Sequence, residues 1–398
     1  IYNWDETRQF EESAEYYKNS SLRSWKSVNE SNLERLISII DQRIKSSTFE
    51  TQPWYSAKAY LQFLRNDLTG AKSTLAASML KSEANPVAQK QNNITTALIF
   101  ASEMKAGILK EEEIMAAMLH QIKKDDTPVK DAAERYILRQ LATKYKDNGD
   151  EAKNMLCSRE IYADFNSPGN ISIVREFMER KNLNSLDQYL CDTYTFKLAS
   201  IYDLEGTEYL YQHDWLNAIA AFAKHPDAGT TSTYCDPFVI HIKDCHECDH
   251  NNQTSLTFTK MSFSKRMLEL KEQINAEKNN NTKSELCFEY ANGLYNMTWY
   301  GNARVLSLTD IHYSSSSQFM SYEEKIADPY FDCSESGKWY EEARKLTRNK
   351  EFAAKCAWMA AKCEHANWLN SINESEPNDF VAGDYFQMIK SKYRNKKS

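Results

Sequence analysis

The clearest indication of the fold comes from the segment Tyr211-Gln-His-Asp-Trp-Leu-Asn-Ala-Ile-Ala-Ala-Phe222. It places an aromatic residue before a polar turn that contains Asp214, and a second aromatic residue, Trp215, directly after that turn. Ala218 follows three residues later, and Phe222 four residues after that. Small residues let the two helices of a hairpin approach each other, and a large aromatic side chain fills the gap beside the next hairpin. The stretch therefore predicts the turn and second helix of an α-hairpin.

The rest of the chain contains few residues that interrupt helices. Among 398 residues there are 10 glycines and 8 prolines, about 2.5 % and 2 % of the chain, where about 7 % and 5 % are typical. A β-sandwich needs a turn about every 8 to 12 residues, and a doubly wound α/β fold needs glycines where its strands turn into helices. The sequence therefore predicts an all-α fold.

Apolar residues recur at helical spacing along the N-terminal half. A capping-box sequence, Ser31-Asn-Leu-Glu34, precedes the first such helix, and the charged run 111–113 is expected to be a solvated helix face. Eight further helical segments are predicted at 53–65, 71–83, 87–106, 110–122, 127–145, 150–164, 171–180 and 186–202. The links between them are a few residues long, which makes neighbouring helices antiparallel.

The pattern of the opening stretch recurs, less regularly, at 60–75, 148–155, 290–305 and 339–360. In these segments the chain resembles tetratricopeptide repeats, although the spacing is irregular where that family keeps a period of about 34 residues. The resemblance covers about half of the chain. It implies an α-solenoid of stacked antiparallel hairpins that presents an extended surface to another protein. The residues leave one alternative open, an irregular all-α domain in which aromatic residues and alanines form an ordinary core.

Two polar stretches suggest where the protein works. The two stretches are Asp244-Cys-His-Glu-Cys-Asp249 and Tyr295-Asn-Met-Thr-Trp-Tyr-Gly-Asn302. Together with the Asn-, Lys- and Tyr-rich composition, they make the chain look like helical-repeat proteins from the envelopes of Gram-negative anaerobes. That resemblance implies an exported protein, periplasmic or associated with the cell envelope. No apolar run approaches the 18 or so residues needed to span a bilayer, so we expect membrane association only through a partner or an upstream anchor.

The composition changes between residues 225 and 262. Residues 225–234 contain a proline, a glycine and a run of hydroxyl residues, which interrupt helices. The β-branched run 238–242 predicts a short strand, with 256–258 as the candidate partner of a β-hairpin. We therefore expect a helical-repeat region at 1–225, a Cys/His-rich insertion or boundary loop at 226–261, and a second helical-repeat region at 262–398.

The insertion contains the densest cluster of metal-capable side chains in the chain. Cys245 and Cys248 have the spacing of two thiolates on one tight turn, and His241 and His250 flank them closely enough to complete a tetrahedral site. These four residues are the predicted ligands of a structural zinc ion, which is the cofactor that the sequence indicates.

The same segment contains a zincin signature. His246-Glu247-x-x-His250 has two histidines at the spacing of one helical face and a glutamate that would activate water. A zinc-dependent hydrolase or peptidase is therefore the alternative function, with Glu269 or Glu272 as a third ligand. The signature works inside a stable helix, whereas residues 244–252 are poor helix formers.

A third interpretation of the segment involves no metal. Cys245 and Cys248 form a disulfide with each other, or Cys235 pairs with one of them, or the segment is a polar loop with solvated histidines. All three interpretations stay open at the level of sequence.

Other function classes lack their signatures. The chain contains no G-x-x-x-x-G-K-[ST] loop for phosphates, no G-x-G-x-x-G and no G-x-S-x-G. Its 49 basic and 56 acidic residues give a net charge of −7 spread along the chain, which is not the basic footprint of a nucleic-acid-binding protein. We therefore expect no nucleic-acid partner. The resemblance to tetratricopeptide repeats implies a non-enzymatic protein–protein interaction scaffold, a component of a larger assembly, whose partners are proteins.

Overall fold

The computed structural model describes residues 22–47, 51–80, 85–159, 168–233, 235–242, 257–311, 329–371 and 383–393. Within these ranges the chain is all-helical, with sixteen α-helices and no β-strand, so the predicted all-α class is confirmed. None of the helices in these ranges combines the length and the apolar character that a membrane crossing requires.

The helices are numbered in chain order. They are α1 (Leu22–Ser46), α2 (Gln52–Leu64), α3 (Leu68–Met79), α4 (Pro86–Glu103), α5 (Leu109–Asp125), α6 (Lys130–Asp147), α7 (Glu151–Ser158), α8 (Pro168–Met178), α9 (Ser185–Thr193), α10 (Leu198–Tyr211), α11 (Trp215–Phe222), α12 (Lys260–Ala276), α13 (Asn280–Asn296), α14 (Ser334–Leu346), α15 (Lys350–Ser371) and α16 (Asp384–Lys392). Arg304–Ser307 and Pro329–Phe331 form short 3-10 helices.

Contacts divide the chain into two compact units, and neither unit is one continuous segment. The first unit consists of Ile1–Arg159 and Lys181–Tyr194, and contains α1 to α7 together with α9. The second unit consists of Glu160–Arg180 and Thr195–Ser398, and contains α8 and α10 to α16. The Cys/His-rich segment belongs to the second unit.

In the first unit, helices pack against their next and next-but-one neighbours. Helix α2 contacts α3 and α4, α4 contacts α5 and α6, and α6 contacts α7. Helix α9 packs against α5 and α7. Buried apolar residues occur three or four positions apart, such as Met115, Leu119 and Ile122 on α5, which is the spacing of one helix face.

In the second unit, each helix from α10 to α15 packs against the helix that follows it, and α8 packs against α10. One hydrophobic core runs through α10 to α15, and Tyr385 of α16 packs against it. Aromatic side chains join its layers: the Trp215 indole donates a hydrogen bond to the Tyr290 hydroxyl (3.0 Å) and meets the Phe263 ring edge to face. Buried tryptophan and tyrosine pack well where their polar atoms find partners, as they do here.

Three hairpin turns share one geometry. Each contains a residue with positive φ followed by an aspartate whose carboxylate accepts a backbone N–H from the first turn of the next helix. The pairs are Asn66–Asp67, Gly149–Asp150 and His213–Asp214, which precede α3, α7 and α11. In each turn the aspartate N–H donates to the carbonyl five residues earlier, at 2.9 Å. This turn satisfies the last carbonyls of one helix and the first N–H groups of the next.

Most predicted helix ends lie within four residues of the observed ones, and three predictions differ by more. Helix α7 ends at Ser158 rather than at residue 164, because Arg159 adopts a left-handed conformation (φ 55°). Helix α1 begins at Leu22 rather than at Ser31, since residues 22–30 contain no glycine or proline that would stop it. The predicted helix 186–202 is two helices, α9 and α10, separated by an extended backbone at Tyr194. The β-branched and aromatic residues of 193–196 have low helix propensity, and the break also separates the two units.

The β-hairpin predicted in the insertion is not confirmed. Residues 238–242 form no strand, and the β-type pairing present is an isolated antiparallel bridge between Ser232 and Thr259. The physical reason is that side chains from neighbouring helices, rather than a second strand, bind the backbone carbonyls of this segment.

Candidate functional site

Residues 235–242 form the described base of the Cys/His-rich segment and are fixed by the helices beneath them. The Phe238 ring lies in the core against Phe263 and Phe258, with ring centroids 5.5 and 5.2 Å apart. The buried Asn292 side chain on α13 donates to the Phe238 carbonyl (2.8 Å). Asn296, one turn later on the same helix, donates to the carbonyls of residues 237 and 239. Two buried amides thus take the place of a partner strand.

A buried lysine completes this base. The Lys362 ammonium on α15 donates to the carbonyls of His241 (2.9 Å) and Ile242 (3.0 Å) and lies over the Tyr295 ring. Burying an ammonium is costly unless it is hydrogen-bonded, and these carbonyls meet that need. The chain therefore enters the Cys/His-rich segment from a fixed point.

The predicted zinc ligands fall mostly outside the described residues. His241 is inside them and is buried, 5 % exposed. Cys245, Cys248 and His250 lie outside them, as do His246 and Glu247 of the zincin signature. Among the residues that the structure describes, no group of three His, Cys, Asp or Glu side chains is placed to hold a metal ion.

Three residues of the alternative interpretations are described. Glu269 and Glu272 are exposed on α12, and Glu269 lies 3.4 Å from Arg266. The Cys235 thiol is buried and donates a hydrogen bond to the Asn302 carbonyl (3.0 Å).

A groove of about 410 Å³ lies between α14, α15 and α16 in the second unit. Its lining residues are Cys333, Ser334, Gly337, Lys338, Glu341, Glu342, Lys345, Ala360, Cys363, Glu364, Asn367 and Tyr385. The small residues among them, such as Gly337 and Ala360, let α14 and α15 approach each other, while the charged residues carry both signs. The groove can therefore accept polar groups and has room for a few side chains.

Helix α16 borders the groove, and α15 holds its first turn. The Glu364 carboxylate on α15 accepts the Tyr385 N–H at 3.1 Å, so one helix caps the start of another. A side chain on Gly383 would overlap that carboxylate. The Phe386 ring meets Trp358 of α15 edge to face, with centroids 5.6 Å apart. Burial raises the pKa of Glu364.

The first unit contains a buried cluster of charged groups. The Lys153 ammonium on α7 lies 2.8 Å from Glu112 of α5 and 2.7 Å from Asp187 of α9. Glu112 also accepts hydrogen bonds from the Tyr145 hydroxyl (2.7 Å) and the Asn184 amide (2.6 Å). Burial by itself raises the pKa of Glu112, but the hydrogen bonds from Lys153 and Tyr145 outweigh it and hold that pKa below its ordinary value. We interpret the cluster as structural, because it joins four helices of the unit.

Sequence reasoning missed the buried cluster and the groove. The run 111–113 looks like a solvated face, yet Glu112 is buried between two exposed or half-buried neighbours. The groove depends on the close approach of Gly337 to Cys363, for which no local sequence signal exists. No family model, no curated protein and no solved structure matches this chain.

Proposed function

We propose that the protein is a non-enzymatic interaction scaffold, built from tetratricopeptide-like hairpins stacked as an α-solenoid. The observation that carries this proposal is the packing of the α10/α11 hairpin. Gly206 on α10 lies so close to Phe222 on α11 that a methyl group on the glycine would overlap the ring. The tetratricopeptide pattern has a glycine in its first helix, and its second helix has an alanine four residues before an aromatic residue. Gly206, Ala218 and Phe222 occupy those places.

Helix contacts and turns support the same proposal. In stacked-hairpin proteins, each helix packs against its hairpin partner and the corresponding helix of the next hairpin, as α2, α4 and α6 do in the first unit. The shared turn with positive φ and a capping aspartate precedes α3, α7 and α11. A recurring local geometry is expected where one structural unit is repeated.

We place part of the partner surface in the groove between α14, α15 and α16. Its lining contains two positively charged side chains and three negatively charged ones. They are Lys338, Lys345, Glu341, Glu342 and Glu364. A rim of mixed charge favours a polar peptide segment of matching charge pattern, since electrostatic complementarity selects the partner. The expected partner is therefore a protein that presents an extended polar segment.

The test is capture of partners from an extract of the source cells, with the full chain immobilised, followed by cross-linking and mass spectrometry. Glu342→Lys reverses one charge on the groove rim, and Glu272→Lys makes the same change on an exposed site of α12 outside the groove lining. We expect a partner that binds the wild type and Glu272→Lys and is lost with Glu342→Lys. Equal capture by all three proteins, or capture by none, would refute a role for the groove.

The structural zinc site at His241, Cys245, Cys248 and His250 is a second proposal. Its support is that His241 is buried where the segment leaves the core, which suits a ligand that anchors a metal-bound loop. The test is the zinc content of the purified protein, with Cys248→Ser expected to lose the metal. A metal-free wild type would refute the site. Peptide cleavage that disappears in Glu247→Ala while zinc stays bound would favour the hydrolase instead.

A further inference from the structure

Two cysteines at the floor of the groove are held close to each other. Cys333 directly precedes α14, and its N–H donates to the Asn367 side chain of α15 (2.9 Å). Cys363 lies one turn before Asn367 on the same helix. The Ser336 hydroxyl donates to the Cys333 carbonyl (2.9 Å) and lies 3.5 Å from the Cys363 sulfur. The Ser336 side chain thus contacts both cysteines.

The helices approach each other closely at this point. A Cβ atom built on Gly337 would lie 3.3 Å from the Cβ of Cys363, so a residue larger than glycine would push α15 away from the start of α14. After burial, the neighbouring Cys363 thiol is the next cause that raises the pKa of the Cys333 thiol, as expected for two side chains that lie beside each other. Both side chains line the groove between α14, α15 and α16, but they are 0 % and 2 % exposed in the folded protein.

We propose that Cys333 and Cys363 are a disulfide-forming pair, which a small disulfide such as oxidised glutathione converts into a bond across the groove floor. One cysteine thiolate attacks a glutathione sulfur, forms a mixed disulfide and releases one glutathione. The second thiolate attacks the protein sulfur of that mixed disulfide, so that the protein disulfide forms and the second glutathione leaves. Two protein thiols are oxidised, one glutathione disulfide is reduced to two thiols, and both thiol protons pass to solvent or to glutathione.

The bond would fix the start of α14 to α15. It closes residues 333–363 into a loop that contains the whole α14/α15 turn, and such a link removes conformational freedom from the unfolded chain. It would also hold the groove floor at one width, because Gly337 and Ala360 lie beside the bond.

The environment makes the reaction slow in the folded protein. Burial, together with the neighbouring Cys363 thiol, raises the pKa of Cys333 well above its usual range, and the thiolate is the reacting form. Oxidation is therefore expected to be fastest during folding, while the thiols are still exposed, or at alkaline pH, where more of the thiolate is present.

The experiment is refolding of the full chain in a buffer of reduced and oxidised glutathione, followed by peptide mapping without reduction. We expect a peptide that links Cys333 to Cys363, and a midpoint of thermal unfolding about 5 to 10 °C above that of the reduced protein. Cys363→Ser should lose both the linked peptide and the shift. Cys157→Ser, which removes a buried cysteine of the first unit, should retain both.

Three results would overturn the proposal. The first is a refolded protein with native circular dichroism in which Cys333 and Cys363 both remain free thiols, shown by their labelling with iodoacetamide after unfolding. The second is a stable mixed disulfide with glutathione at either residue. The third is a linked peptide that joins either cysteine to a different one. Cys333→Ala with Cys363→Ala, which keeps small buried side chains at both positions, checks that folding itself does not need the thiols.

Discussion

Replacing Lys153 by methionine tests how the first unit is held together. The change removes an ammonium that lies within 2.8 Å of two carboxylates and replaces it with an apolar chain of similar length. Glu112 and Asp187 then stay buried without their cation. Tyr145 and Asn184 still donate to Glu112, so the carboxylate keeps part of its solvation by the protein.

The expected cost follows from burial. Breaking a buried ion pair by removing one partner costs about 3 to 5 kcal/mol, because the remaining charge is uncompensated. The Lys153 side chain is 8 % exposed and that of Glu112 is 2 % exposed, so solvent screens little of this interaction. We therefore expect Lys153→Met to lower the free energy of unfolding of the first unit by about 3 to 5 kcal/mol.

The control is the same substitution at an exposed ion pair. Lys72 on α3 lies 2.6 Å from Glu103, but their side chains are 53 % and 41 % exposed. Exposed pairs contribute about 0 to 1 kcal/mol, so Lys72→Met should cost less than about 1 kcal/mol. Urea unfolding followed by circular dichroism gives the free energies, and amide hydrogen exchange read by mass spectrometry assigns the loss to α5, α7 and α9.

Comparing the loss of unfolding free energy in the two variants tests whether burial strengthens the cluster. Equal losses in Lys153→Met and Lys72→Met would mean that burial of the cluster adds nothing, and the structural interpretation of the cluster would be wrong. A loss confined to the second unit in the exchange experiment would contradict it as well.

Three further predictions follow from buried groups. Lowering the pH below about 4.5 should remove the contribution of Glu112 to the free energy of unfolding. The pKa of Glu112 is lower in the folded protein than in the unfolded chain. The stability that it adds is therefore present above the unfolded pKa and is lost as the pH falls through the folded pKa. The gap between wild type and Glu112→Gln in urea unfolding should shrink accordingly, and a constant gap would contradict this. Asp203→Asn removes the carboxylate that lies 2.6 Å from the fully buried Lys260 ammonium, and it should lower the free energy of unfolding by about 3 to 5 kcal/mol. Because burial lowers the pKa of Lys260, this loss of stability should diminish at alkaline pH. A loss that does not depend on pH would indicate a packing effect instead. Gly206→Ala should lower the thermal midpoint despite the better helix propensity of alanine, because overpacking costs about 1 to 3 kcal/mol and the propensity gain is about 1 kcal/mol.

Gly169→Ala is the matched control for the last of these. Gly169 is also helical, and a methyl group there would meet no atom within 4 Å. It should leave the thermal midpoint unchanged or raise it. A midpoint that falls equally in both variants would show that Phe222 is not the cause.

Local features of the fold could be predicted from the sequence. The turn at Gln212-His213-Asp214 and the helix that starts at Trp215 lie where the pattern of aromatic and small residues puts them. Ala218 and Phe222 are buried as expected. These features depend on residues a few positions apart, so periodicity and capping preferences suffice to find them.

Long-range features could not be predicted in the same way. Glu112, Lys153 and Asp187 come from three separate helices, and each looks like an ordinary surface charge in its own segment. Similarly, the run 238–242 is β-branched and suggests a strand, but Asn296 and Lys362 bind its carbonyls from helices that follow far along the chain. Which polar residues turn inward is decided by tertiary pairing, for which a single sequence has no periodic signal.

The return of Lys181–Tyr194 to the first unit has a consequence for synthesis on the ribosome. The ribosome must synthesise residues 160–180, which belong to the other unit, before the segment with Asn184 and Asp187 can reach Glu112 and Lys153. A nascent chain that stops near residue 160 contains Glu112 and Lys153 but lacks Asn184 and Asp187, which bind them in the folded unit. Folding of the first unit therefore finishes late, and a protein shortened at that apparent boundary should be captured by chaperones or degraded.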